Sequence, residues 1–156
     1  MAKGGKVDFS DLEEFRNRLQ NQFNQKQVDA FIDSCAKELA ARLLAKVIKR
    51  TPVGDYPSGS GKKGGTLRRG WTGGKSSGAS AYANDLKVHH FGNAYVIEII
   101  NPIEYASYVE FGHRTRGGKG WVEGKFMLTI SEQEIQANAG KILESKLKKK
   151  LGECFK

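Results

Sequence analysis

Gly73-Gly74-Lys75-Ser76 carries the residue types with which a phosphate-cradling loop ends, where backbone N–H groups and a lysine would hold a nucleotide's phosphates. The full pattern needs a glycine five residues before Gly74. Arg69 stands there, and Ser76 leads into Ser77-Gly78-Ala79 instead of an apolar helix, so a loop is favoured over a nucleotide site. Gly59-Ser60-Gly61-Lys62-Lys63-Gly64 fails in the same way. His89-His90 falls in a strand pattern that sends the two rings to opposite faces, and His113 has no cysteine or carboxylate at ligand spacing. No serine occupies a nucleophile elbow, and Asp55 and Glu110 form no readable carboxylate pair. We therefore assign no catalytic residue, metal ligand or cofactor, and expect a protein that is not an enzyme.

Two loops combine cations with a tryptophan: Arg68, Arg69, Trp71 and Lys75 in one, and Arg114, Arg116, Lys119 and Trp121 in the other. Such clusters suit stacking on nucleic-acid bases, and equally suit a protein interface, where Trp and Arg concentrate binding energy. Composition leaves both readings open. Between the loops runs Tyr105-Ala106-Ser107-Tyr108-Val109-Glu110-Phe111-Gly112, an aromatic helix signal with Asn101 as cap, Pro102 in the first turn and Gly112 as stop. Glu110 sits in its last turn, where the helix dipole disfavours an acid. A cation is expected to answer it: Arg114, Arg116 or an arginine from elsewhere. If that pair crossed between subunits, Glu110→Gln would weaken assembly more than folding.

The elements that must position these residues are mostly helices. Ser10 with Glu13 reads as a capping box ahead of Leu12, Phe15, Leu19 and Phe23, and a second periodic run from Val28 to Val47 ends near Arg50 because Pro52 follows. Residues 54–78 read as a flexible basic Gly-rich loop with room for one short strand near Trp71. Leu86 to Phe91 and Ala94 to Ile100 read as a hairpin about Gly92-Asn93. A second Gly-rich loop spans 113–120. A last long helix carries Phe126, Leu128, Ile130, Ile135, Ile142, Leu147, Leu151 and Phe155, starting between Lys125 and Ser131, with Ser131 and Glu134 as an internal capping signal. The fold class expected is α+β, a small mainly antiparallel sheet flanked by amphipathic helices in a single domain, 1–156.

The chain has 156 residues, 38% hydrophobic and 28% charged, with a formal net charge of +9. That size supports a core without disulfides or metals, and no apolar run approaches a membrane span. The basic amino terminus, Met1 to Lys6, lacks the apolar segment of a secretory signal, so residence in the cytoplasm of synthesis is expected. Cys35 and Cys154 are expected as free thiols. The charge permits a polyanionic partner without naming one.

Arg50-Thr51-Pro52-Val53, Gly65-Thr66-Leu67-Arg68-Arg69-Gly70-Trp71, Tyr105 through Gly112, and Gly120-Trp121-Val122-Glu123-Gly124-Lys125-Phe126-Met127-Leu128 together resemble a tailed-bacteriophage morphogenesis family of head-tail joining, tail-completion or minor tail-component proteins. The resemblance runs from the second helix to the start of the last. Asp55 to Gly64 looks like an insertion relative to that pattern, His113 stands where many relatives have threonine, and Glu123 where proline is frequent. The resemblance implies a structural virion subunit of the neck or tail. It would form a homo-oligomeric ring, a hexamer, between the tail tube or tail terminator and the head-tail connector or adaptor. Arg68, Arg69, Trp71, Tyr105, Tyr108, Glu110, Phe111, Gly112, Trp121 and Phe126 are then interface or anchor candidates. Lys62, Lys63, Lys75, Arg114, Arg116 and Lys119 are candidates for nonspecific contact with packaged DNA in the lumen. The alternatives are a sequence-nonspecific DNA-binding module, or the equivalent ring of a phage-derived contractile particle.

Overall fold

The structure, a computed structural model, describes residues 10–153. The basic amino terminus, Cys154 and Phe155 lie outside these residues, as do the side chains of the Ser10–Glu13 capping box. Helix α1 (Ser10–Gln22) leads into α2 (Gln25–Arg50), followed by short helices α3 (Thr66–Gly70) and α4 (Gly78–Asp85). Strands β1 (Val88–Phe91) and β2 (Ala94–Ile97) precede α5 (Ala106–Phe111), and β3 (Gly112–Arg114) and β4 (Trp121–Glu123) precede α6 (Met127–Gly152). The fold is α+β.

Helix α2 is the spine. Asn24 Oδ1 accepts the Gln27 N–H at 2.9 Å to cap its start, and Lys49 and Arg50 meet the negative end of its dipole. Pro52 holds Thr51 in extended geometry (φ −65°, ψ 124°), so the helix stops there, and both the N–H and the hydroxyl of Thr51 bond the Val47 carbonyl. Ala40, Leu44 and Val47 form the core with Leu67 and Trp71 from the α3 region, Ala83 from α4 and Met127 from α6. Charge then fastens α6 along α2: Glu134 receives Lys46 at 2.7 Å and Arg50 at 2.5 Å, and Glu38 receives Lys146 at 2.8 Å. The Lys46 hydrogen bond first, then that of Arg50, holds the Glu134 carboxyl below its ordinary range. The Lys146 hydrogen bond does the same for Glu38 against the opposing pull of burial. Cys35 is a free thiol on the buried face of α2, and burial pushes its pKa up.

Four local expectations are corrected. No strand forms near Trp71; it follows a one-turn helix, α3, inside the segment read as loop. Helix α4 lies outside the expected elements, because Gly78, Ser80, Asn84 and Asp85 are weak helix formers and an eight-residue helix depends on packing Ala79, Tyr82 and Ala83 against the core. The strands form two separate antiparallel pairs instead of one sheet. In the first, Val88 faces Ile97 and Phe91 faces Ala94 across a turn where Gly92 takes φ 58°. The second pair, Gly112 to Glu123 and Arg114 to Trp121, lies at both margins of the stretch read as a loop. Ser131 and Glu134 fall inside α6, where the Ser131 hydroxyl donates to the Met127 carbonyl at 2.6 Å.

Candidate assembly surface

The surface rests on two buried polar anchors, made mostly from residues of the motifs, with Asn101 and Thr129 added from outside them. In the first, Trp71 is 4% exposed and its indole Nε1–H donates to Thr51 Oγ1 at 2.8 Å. Arg68 donates to the Thr51 carbonyl through Nη2 at 2.7 Å and Nε at 3.2 Å. Asn101 Nδ2 donates to the Leu67 carbonyl at 2.8 Å while its Oδ1 accepts the Ile103 N–H at 3.2 Å. Asn101 therefore shapes the turn before α5 and ties it to α3, and Tyr105 takes the cap position instead. Gly70 must be glycine here, since an added Cβ would lie 2.7 Å from Ile103 Cγ1 and collide with Asn101 Oδ1.

Glu110 makes the second anchor. It is 5% exposed, and its partner is not an arginine. Oε2 accepts the Leu128 N–H at 2.9 Å, and Oε1 accepts the Thr129 N–H at 2.9 Å and the Thr129 hydroxyl at 2.7 Å. These are the second and third residues of α6, whose own cap position is Phe126, a residue with no polar side chain and a left-handed backbone (φ 46°). Glu110 caps α6 from another helix. The partial positive charge of a helix start supplies the counterpart that an acid at the end of α5 requires. Two backbone bonds reinforce the joint: Lys125 N–H to the Val109 carbonyl at 2.7 Å and Phe126 N–H to the Glu110 carbonyl at 3.0 Å. Gly112 ends α5 at φ 86°, and a Cβ there would lie 2.5 Å from the Val122 carbonyl oxygen and 3.0 Å from Trp121 Cζ2.

Above these anchors the aromatic residues face outward. Tyr105 is 44% exposed, Tyr108 58%, Phe111 61%, Trp121 55% and Phe126 39%. A pit of about 250 Å³, lined by Trp71, Ile99, Ile100, Ala106, Phe111 and Met127 among others, opens beside them. The sequence-selected interface residues thus divide: Trp71, Glu110 and Gly112 are buried and Arg68 half-buried, while the five aromatics and Arg69 lie on the surface.

The six selected cations divide as well. Lys62 Nζ sits 5.8 Å from the Tyr56 ring centroid and Lys75 Nζ 5.9 Å from that of Tyr82. Arg114, Arg116 and Lys119 flank or occupy the β3–β4 turn, and Lys63 lies in the arm that reaches the Tyr105–Val109 side of α5. Among the described residues no group of His, Cys, Asp and Glu could hold a metal ion. No described helix is long and apolar enough to cross a membrane.

Residues 13–112 match the HK97-gp10-like family, described as "Bacteriophage HK97-gp10, putative tail-component". The chain belongs to this family. The match extends from α1 through the Gly112 stop, so it includes both halves of the Thr51–Trp71 anchor and the acid of the second. Membership gives a structural role as a component of a phage tail. No curated protein and no solved structure matches the chain.

Proposed function

We propose that this tail component is a ring-forming subunit at the tail top or neck, completing the tail and joining it to the head connector. The observation that carries the reading is the outward aromatic group, Tyr108, Phe111, Trp121 and Phe126, on a base fixed by Glu110 and α6. Large exposed aromatics on a stiff support are the composition of an interface core, and the pit beside Phe111 offers a neighbour's side chain a socket. Repetition of one heterologous contact closes a ring, with six copies as the proposed number. The partners are further copies, the tail tube or tail terminator on one side, and the connector or adaptor on the other. The place of action is the virion. Binding, not turnover, is the function, which accords with a site built from hydrogen-bonded anchors and apolar surface.

The test is native mass measurement of the purified chain together with imaging of intact particles. A closed oligomer and density for the chain at the tail top support the proposal. A monomer at tens of micromolar that is missing from particles removes it.

A further inference from the structure

The net charge of this protein is distributed unevenly. Segment 54–78 holds five cations against the single acid Asp55, and 113–120 holds three cations and no acid. On the helices, by contrast, many cations are answered internally: Arg18 by Glu14, Arg42 and Lys146 by Glu38, Lys46 and Arg50 by Glu134, and Lys148 by Glu144. Among the described residues, no ion pair reaches Lys62, Lys63, Arg114, Arg116 or Lys119.

The β3–β4 turn satisfies its own backbone. Thr115 N–H donates to the Gly120 carbonyl at 3.0 Å, Gly118 N–H to the Thr115 carbonyl at 2.8 Å, and Gly120 N–H to Thr115 Oγ1 at 3.0 Å. Gly117 and Gly118 supply the positive φ that the turn requires. Its cationic side chains are therefore not needed to close the turn, and they project from a preorganised support. Arg114 stands directly across from Trp121, whose ring lies over Gly112 at the end of α5. The other basic arm is pinched at its base, where Gly64 leaves no room for a side chain beside the Gly54 carbonyl, and it abuts α5 through Tyr105 and Val109. Both arms are thereby carried to α5.

We infer that these two cationic arms, Arg114, Arg116 and Lys119 in one and Lys62 and Lys63 in the other, bind the phosphates of duplex DNA without reading its sequence. Arginines and lysines on exposed loops supply phosphate contacts, which position a duplex and carry no base information. Lys75 is left out, since it follows α3 and is not part of the arm beside α5. The inference concerns the folded chain and does not depend on ring formation.

The experiment is titration of a labelled 30-base-pair duplex with the full chain between 50 and 200 mM salt, for the wild type and for Arg114→Gln/Arg116→Gln/Lys119→Gln. If each cation neutralises one phosphate, the variant's log–log salt slope is shallower by about 2.7, and the fourfold salt increase costs the wild type about 40-fold more affinity than the variant. A control substituting Lys141, Lys148 and Lys149 on α6 should leave the slope near that of the wild type. An equal fall in the control, an unchanged slope in the turn variant, or equally tight binding of poly-glutamate would overturn the inference. Lysine acetylation of the wild-type protein gives a second readout free of folding effects: duplex should protect Lys62, Lys63 and Lys119 but not Lys141, Lys148 and Lys149. The reverse pattern would overturn the inference. Native mass of the same samples reads assembly separately, so loss of DNA binding in a normally assembling variant leaves the ring proposal standing.

Discussion

Glu110→Gln is the sharpest probe of the scaffold, because it exchanges a single carboxylate oxygen for an amide nitrogen at a joint where three bonds converge. The carboxylate accepts two backbone N–H groups and one hydroxyl at the start of α6, all in the same chain. Glutamine retains one acceptor oxygen. If that oxygen keeps both Thr129 donors, the amide NH₂ is turned toward the Leu128 N–H, donor against donor, and that group loses its partner. A hydrogen bond to a charged group contributes about 1.5–3 kcal/mol. Charge at a partly buried helix terminus contributes up to about 2 kcal/mol. The two overlap, and a loss of about 3 kcal/mol follows. For a chain of this size that is a fall in Tm of roughly 6–12 °C. Urea unfolding monitored by circular dichroism and by tryptophan fluorescence measures it. A loss smaller than about 0.5 kcal/mol would refute the capping argument. The alternative, an acid paired across subunits, predicts the opposite: normal monomer stability with failed assembly.

Thr51→Val keeps the volume but removes the acceptor for the Trp71 indole, leaving a buried N–H unpaired; unfolding titration should show a loss of about 1–3 kcal/mol with altered Trp71 fluorescence. Gly112→Ala meets both a positive φ and the Val122 carbonyl, so it should lower stability by more than about 2 kcal/mol, and wild-type stability would discount the close approach. Glu38 and Glu134 have carboxyls held below the ordinary 4.5, so their contribution is full above that value and is lost as pH falls through the lowered values. Stability should therefore drop with acidification below about pH 4.5, and Glu38→Gln/Glu134→Gln should flatten that dependence in pH-stepped melting curves. Trp121→Ser removes a ring that is about half buried over Gly112, so unfolding should show a loss of about 1–3 kcal/mol. If the proposed ring uses this face, the same change should weaken assembly at least tenfold by native mass titration.

What the sequence disclosed was whatever a short window contains. The stop at Thr51, the two-residue turn at Gly92-Asn93 and the Gly112 terminus all follow from the backbone preferences of proline, asparagine and glycine, and the structure has each of them. Features settled by distant partners were misread. Trp71 reads as strand or loop because nothing nearby announces that Thr51, twenty positions earlier, will receive its indole N–H. Helix α4 is weak in isolation and exists because Ala83 fits against the spine. The second hairpin had a signal: Gly-Gly between Arg114 and Trp121, with short strand-compatible runs on either side. The glycines drew the reading toward a loop.

Glu110 differs in kind from these. An acid in the last turn of α5 needs positive charge, and Glu110 takes it from the start of α6 and not from an arginine. Side-chain cations are visible in a sequence, whereas the roughly half-unit positive charge at a helix start belongs to no residue and appears only once the chain has folded. The same difference separates the two tryptophan-and-arginine segments, equivalent by composition. Arg68 and Trp71 converge on Thr51 at the end of α2 and are drawn inward as supports. Arg114 and Trp121 face each other on a hairpin whose backbone already closes its own bonds, so they stay outside. The proposed assembly would use both: polar anchors that hold α5 and α6 in one geometry, and, raised on them, exposed aromatic and cationic groups with few partners inside the chain. A helix cap provided by a neighbouring helix serves that purpose well, because it fixes the surface from beneath without occupying any of it.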